Sequence, residues 1–293
     1  MKNKKTEANL SMIVSKTFSG LNANALRYLL PLWIAPLTGV MFRCVFGALM
    51  FWIISLFWKQ DKITLFLLGA IGLYGFMFFY LLGVSKTTPV SSSLFSSLQP
   101  IWVFILSVLF LKERITAMKI IGITIGLGVA LLCILTQKSD DLASDAFTGN
   151  MLCLISSIAY AAYLIVSNVV LGKVSSLNML RYSFLGAAVS SLIVMAFTGF
   201  DGHLFSHFEW TPFLVLMFVL IFPTTISYLL IPIGLKYLST TLVALYGYII
   251  LIVATIVSLS IGQDRFSWYQ MIAIALICSS VYFVEIAESK DKR

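Results

Sequence analysis

The sequence predicts an all-α integral membrane protein of ten transmembrane helices arranged as two inverted five-helix repeats. Three observations carry that expectation. Of 293 residues 60% are hydrophobic and 11% charged, where a soluble domain has about 25% charged residues. Punctuation by Pro, Gly and charge divides the chain into ten apolar runs, each near the ~20 residues that cross a hydrocarbon core. The third is that the chain matches itself at a fixed offset.

The spans read in order are 9–31, 36–58, 62–84, 87–111, 115–136, 148–171, 176–198, 211–235, 239–262 and 267–287. Most connections are short, and the longer ones run from Gln137 to Thr148 and from Thr198 to Trp210. The first span is unusually polar. Lys16, Asn22, Asn24 and Arg27 within it are incompatible with a cleavable signal core, so it is expected to stay as a spanning helix.

The charges then give an orientation. With the N-terminus in the cytoplasm, thirteen of twenty basic residues fall on the inner side, among them Lys59, Lys62, Lys112, Arg114, Lys119, Lys173 and Lys236. The outer side holds Lys86, Lys138 and Arg265, and its long loops carry Asp140, Asp141, Asp145, Asp201 and Glu209. The positive-inside rule therefore predicts a multi-pass protein of the cell inner membrane with both termini cytoplasmic. The net charge of +8 is read as membrane orientation, and no nucleic-acid partner is expected. Cys44, Cys133, Cys153 and Cys278 lie in or beside apolar runs without metal-ligand spacing and read as reduced packing residues.

A shift of 151 residues lays Leu111–Thr116 on Gly262–Ser267, Gly83 on Gly234, Leu94 on Leu245 and Ser107 on Ser258. For the earlier helices the shift is 138, which lays Arg43 on Arg181 and Asn22 on Tyr160. The halves are then 1–138 and 148–293. Because five is odd, the second half enters the membrane from the opposite side. Such inverted repeats supply two related states with a site at the midplane, which points to a carrier.

The run Gly83-Val84-Ser85-Lys86-Thr87-Thr88-Pro89-Val90-Ser91, continuing through Leu98-Gln99-Pro100 to Leu109-Phe110-Leu111-Lys112-Glu113-Arg114-Ile115-Thr116, resembles the drug/metabolite transporter superfamily and its EamA-like members. The Gly122 to Gly128 region and Pro36 followed by Arg43 share the likeness, which covers nearly the whole chain. The most specific pairing is Pro100 with Glu113 thirteen residues on; in the second half Leu251 stands where Pro would be and Asp264 where Glu would be. The resemblance implies transport of small metabolites, often export of amino acids and related compounds. It leaves the substrate open.

Candidate substrate-binding residues follow from the cost of polar groups in hydrocarbon. A basic side chain near the bilayer centre costs about 2.5–3.5 kcal/mol on insertion scales, so Lys16 and Arg43 need compensation. They either face a wet cavity and meet an anionic or zwitterionic substrate, or snorkel and cap carbonyls. Asn22 and Asn24 on the first helix, and Tyr160 and Tyr163 on one face of the sixth, place polar groups where the two halves would meet. Gln99 precedes a helix-breaking proline, and Tyr246 lies at similar depth in the ninth helix. Either substrate contact or packing fits these. Pro100, Glu113, Asp264 and Arg181 are read as structural or gating residues, the two carboxylates favouring the positive ends of the helices that follow them. Gly122 and Gly126 suggest close packing, Pro223 and Pro232 are hinge candidates, and His203 with His207 make a poor metal site.

No nucleophile–base pair, phosphate loop or mid-membrane carboxylate appears, so neither an enzyme nor a cofactor is expected. The expected function is secondary transport of a small polar metabolite, an amino acid-like compound or drug-like molecule, with export the expected direction. The alternative is a non-transporting membrane sensor or assembly partner. The partners are a small-molecule substrate and the lipid bilayer, in a monomer or homodimer.

Overall fold

In the computed structural model the described residues are 2–30, 32–56, 65–87, 92, 95–96, 98–113, 115–136, 146–200 and 208–261, with isolated positions at 268, 272, 275–276 and 279. Apart from those isolated positions the tenth predicted span lies outside them, as do Asp264, His203 and His207. The described chain is helical and contains no strand. Its helices are α1 (Lys2–Leu29), α2 (Pro36–Ser55), α3 (Leu68–Lys86), α4 (Gln99–Leu111), α5 (Ala117–Thr136), α6 (Ala146–Leu171), α7 (Ser176–Thr198), α8 (Trp210–Tyr237) and α9 (Thr240–Ser260). Six stretches, α2, α3, Phe147–Leu171 of α6, α7, α8 and α9, are long and apolar enough to cross a membrane.

Burial is reversed relative to a water-soluble fold. Phe197 is 88% exposed and Leu32 75%, while Lys16 is 2% and Arg181 1% exposed. A bilayer is the solvent that makes such an arrangement favourable, because apolar side chains meet lipid and polar ones find each other inside.

Helix ends follow local chemistry. Proline at the start of α2 and beside Gln99 in α4 occupies first-turn positions whose N–H would be unbonded anyway. Ser175 and Ser239 cap α7 and α9 by accepting from Asn178 N and Leu242 N. α1 begins at Lys2, ahead of the expected start at 9, because Lys2–Ala8 contains strong helix formers and neither Pro nor Gly. At 28 residues it is about 42 Å long, more than the hydrocarbon core requires.

Both α3 and α8 contain a wide π-type segment, Leu68–Leu73 and Leu220–Ile226. The first packs on α7 and the second on α2. α9 is interrupted: Gly247 N, Ile249 N and Ile250 N bond three residues back, at 2.8–3.0 Å, around Tyr246–Gly247. The start of α4 shows the same tightening, with Leu98 N bonding Phe95 O and Ile101 N bonding Leu98 O. Within the expected span 87–111 the described residues include helical positions at 92 and 95–96, a turn at Leu98 and a 13-residue helix from Gln99.

Where α3 crosses α7 the backbones touch. A Cβ on Gly69 would collide with the Ser183 carbonyl, and one on Gly186 with the Phe66 carbonyl and, at 2.8 Å, with Ala70 N.

Candidate functional site

A small cavity of about 60 Å³ lies among α1, α2, α3, α4, α6, α8 and α9. Lys16, Asn22, Arg43, Gln99 and Tyr160 line it together, and so do Ser19 and Ser96. Four rings, Phe76, Tyr80, Tyr160 and Tyr228, form much of the remaining wall. Phe76 stacks near Tyr160 with centroids 4.7 Å apart.

α1 reaches the cavity with one face and holds its neighbours with another. Ser15 Oγ donates to Ser227 O at 3.1 Å, and Ser227 Oγ donates back to Ser15 O at 2.8 Å, a reciprocal clasp between α1 and α8. Asn24 donates to Ala254 O at 3.3 Å and accepts from Ser258 Oγ at 2.7 Å, which fixes α1 to α9. Lys16, one position from Ser15, turns inward. Its Nζ donates to Tyr160 Oη at 3.2 Å and lies 5.2 Å from the ring centroid, so the hydroxyl is its partner.

Arg43 is anchored by a defect in α8. Pro223 has no N–H, which leaves the Val219 carbonyl without its usual donor. Thr224 Oγ1 donates to that carbonyl at 2.9 Å and accepts from Arg43 Nε at 2.9 Å. A helix break thereby becomes a hydrogen-bonded relay that holds a guanidinium at the cavity wall. Thr225 Oγ1 donates in the same way to Leu220 O at 3.1 Å.

Gln99 stands at the turn that begins α4, beside the interruption in α9: a Cβ on Gly247 would lie 3.8 Å from its Oε1. Both interrupted helices therefore meet at the cavity, the arrangement in which loosened backbone is tolerated at membrane depth.

The other expected residues are placed elsewhere. Asn24 faces α9, Tyr163 lies between α6 and an apolar groove beside α3, and Tyr246 is buried at the interruption of α9. Pro100 is buried in the first turn of α4. Arg181 lies away from the cavity, between the rings of Trp52 and Tyr182 at 4.7 and 4.6 Å, with one bond to Asn178 Oδ1 at 2.8 Å. Cys44 and Cys153 are buried and unbridged.

Glu113 is positioned by a left-handed residue. Lys112 closes α4 with φ 53°, and Glu113 N bonds Ser107 O, six residues back. The Glu113 carboxylate accepts from Lys119 Nζ at 3.2 Å and from Thr241 Oγ1 at 2.6 Å. The carboxylate thus sits at the start of α5 through Lys119 and also ties the end of α4 to α9, while Thr116 Oγ1 accepts from Lys119 N in the first turn of α5.

Sequence reasoning had Pro223 only as a hinge and missed Thr224, Ser227 and Tyr228. The available signal was Pro223-Thr224-Thr225 in the middle of a strongly apolar span. Phe76 and Tyr80 carried none, being two among 35 Phe and Tyr residues.

These features define a multi-pass membrane protein whose polar residues converge on a central cavity. The EamA-like transporter family model matches the chain twice, at residues 6–135 and 147–286. The chain belongs to the EamA-like transporter family, and it is a membrane transporter, consistent with the drug/metabolite transporter superfamily. It is 23% identical over 274 residues to the uncharacterized transporter YyaM of Bacillus subtilis (strain 168), covering 90% of this chain and 88% of that one. It is 24% identical over 236 residues to the uncharacterized transporter YetK of the same organism, covering 80% and 70%. A crystal structure that superposes over 100% of both chains, with a TM-score of 0.73 at 19% identity, shares the fold.

Proposed function

We propose that this transporter exports a small polar metabolite, an amino acid-like compound or drug-like molecule, across the cytoplasmic membrane by alternating access. The moving parts are two inverted five-helix repeats, 1–138 and 148–293, with both termini in the cytoplasm. The observation that carries the reading is the cavity itself: Lys16, Asn22, Arg43, Gln99 and Tyr160 come from four different helices and converge on one space.

Two further features support the repeat. The π-type segments begin at Leu68 and Leu220, 152 residues apart and so within one residue of the 151 shift. The tightened turns near Leu98 and Gly247 are 149 apart and lie near the same offset. The Glu113–Thr241 bond joins α4 to α9 across the proposed halves and acts as a latch at the cytoplasmic end.

The test is a metabolite comparison between cells lacking and overproducing the protein, followed by counterflow of the accumulating compound in liposomes. A compound depleted inside and enriched outside on overproduction is the expected result. Cysteine labelling of the 140 and 201 loops from the cytoplasmic side alone would overturn the orientation.

A further inference from the structure

The wall of the cavity carries two cations and, among the described residues, no carboxylate. Lys16 and Arg43 are both buried, and their partners there, Tyr160 and Thr224, are neutral hydroxyls. The described carboxylates are elsewhere. Glu113 is held by Lys119 and Thr241, Glu209 precedes α8, and Glu7 is nine residues before Lys16, about 13 Å along α1. A hydroxyl accepts a hydrogen bond from a cation without cancelling its charge, so the cavity keeps a positive potential in a low-dielectric setting.

Two other details shape the occupant. Among the described residues Thr224 takes the Nε hydrogen of Arg43, and the planar fork of Nη hydrogens that remains has the geometry that matches a carboxylate or related oxyanion. Asn22 Oδ1 is buried on the cavity wall with no donor among the described residues. It accepts from a ligand O–H or N–H. The rings of Phe76, Tyr80, Tyr160 and Tyr228 offer an apolar surface to the body of the same molecule.

We infer that the site takes a small organic oxyanion of net negative charge, with a neutral hydrogen-bond donor on an apolar body, in preference to a zwitterion or a cation. This rests on the transport reading above and narrows it. The positive group of a zwitterionic amino acid would face Lys16 and Arg43 without a carboxylate to receive it, whereas a hydroxy acid has a charge for the two cations and a donor for Asn22.

The test uses full-length purified protein and four probes: 3-phenyllactate, phenylalanine, phenylalanine amide and inorganic phosphate. Binding is read by ligand-dependent thermal shift and titration, and exchange by counterflow in liposomes. The acid is expected to bind at least about tenfold tighter than the zwitterion, and the amide weakest, since a charge-assisted contact is worth at least that factor. Lys16→Gln should weaken the acid about tenfold, with Lys16→Arg restoring most of it. Arg43→Lys, which keeps the charge and loses the fork, should also weaken it and serves if Arg43→Gln does not fold.

Equal or tighter binding of the zwitterion or amide, unchanged affinity in Lys16→Gln, or no binding of the acid overturns the assignment. Phosphate binding as tight as the acid overturns the organic body. If the acid binds as expected but does not exchange, the assignment survives and transport of this class fails. Exchange of the amide or zwitterion with no acid exchange keeps transport and sinks the anion.

Discussion

Two crossings in the bundle, α2 on α8 and α7 on α3, would be equivalents under the proposed repeat, yet they are built by different means. At the first, Arg43 of α2 meets Thr224 in the π-type segment of α8. At the second, Arg181 occupies the matching place on α7, but the 151 shift puts Leu73 where Thr224 would be (224 − 151 = 73). Without that hydroxyl, Arg181 turns to Asn178 and the rings of Trp52 and Tyr182, and its Nε and Nη1 find no hydrogen-bond partner among the described residues. The second crossing closes instead through Gly69 and Gly186, backbone against backbone. The lesson is that a duplicated arginine need not keep one job. A single Thr on the facing helix, with a proline beside it, decides whether the guanidinium serves a cavity or a packing seam.

The largest effect should come from filling the glycine seam. In Gly186→Ala the new methyl meets backbone that cannot rotate away, so the loss should exceed the ~1–3 kcal/mol of ordinary overpacking. The check is the yield of monodisperse protein and its Tm; near-normal values would show that α3 and α7 are not rigidly seated. Next comes Arg43→Gln, which should lower substrate flux by about 10- to 150-fold, the equivalent of ~1.5–3 kcal/mol for a charged hydrogen bond. Arg181→Met should leave flux within about threefold, because the side chain lies off the cavity between Trp52 and Tyr182. Equal losses in the two variants would break the contrast.

Thr224→Val should fall between these. It removes the hydroxyl that anchors Arg43 and leaves the buried guanidinium Nε–H without its acceptor, at a cost of about 1–3 kcal/mol. Flux and Tm should drop together. A modest effect is expected for Thr241→Val, which cuts one bond to Glu113 and should lower stability by about 1 kcal/mol. Its readout is the rate at which a cytoplasmic-side cysteine becomes labelled, expected to rise if the latch holds that end closed.

Much of the site was legible because polarity in a spanning helix is expensive and therefore conspicuous. Lys16, Asn22, Arg43, Gln99 and Tyr160 stood out for that reason, and one cavity gathers them. Polarity does not say which neighbour a group meets. Asn24, two residues after Asn22, is about 200° round the helix and serves α9. Thr224 was hidden for a related reason: threonine is cheap in a helix, where its hydroxyl bonds to the preceding turn. Only the proline before it explains why that hydroxyl is needed. The extent of α1 was underestimated because its first turns are governed by helix propensity and carry no apolar signal.

The clasp between Ser15 and Ser227 bears on how the chain is made. The partners are 212 residues apart, and those of Asn24 and Ser258 are 234 apart. At synthesis rates of about 5–20 residues per second, roughly 10–50 s separate the emergence of α1 from that of the groups that satisfy it. Throughout that interval an amide and a hydroxyl of α1 are still waiting for their places, and the Lys16 ammonium waits for Tyr160, 144 residues on. Assembly thus has a defined waiting period, set by the distance along the chain between α1 and the helices that shelter it.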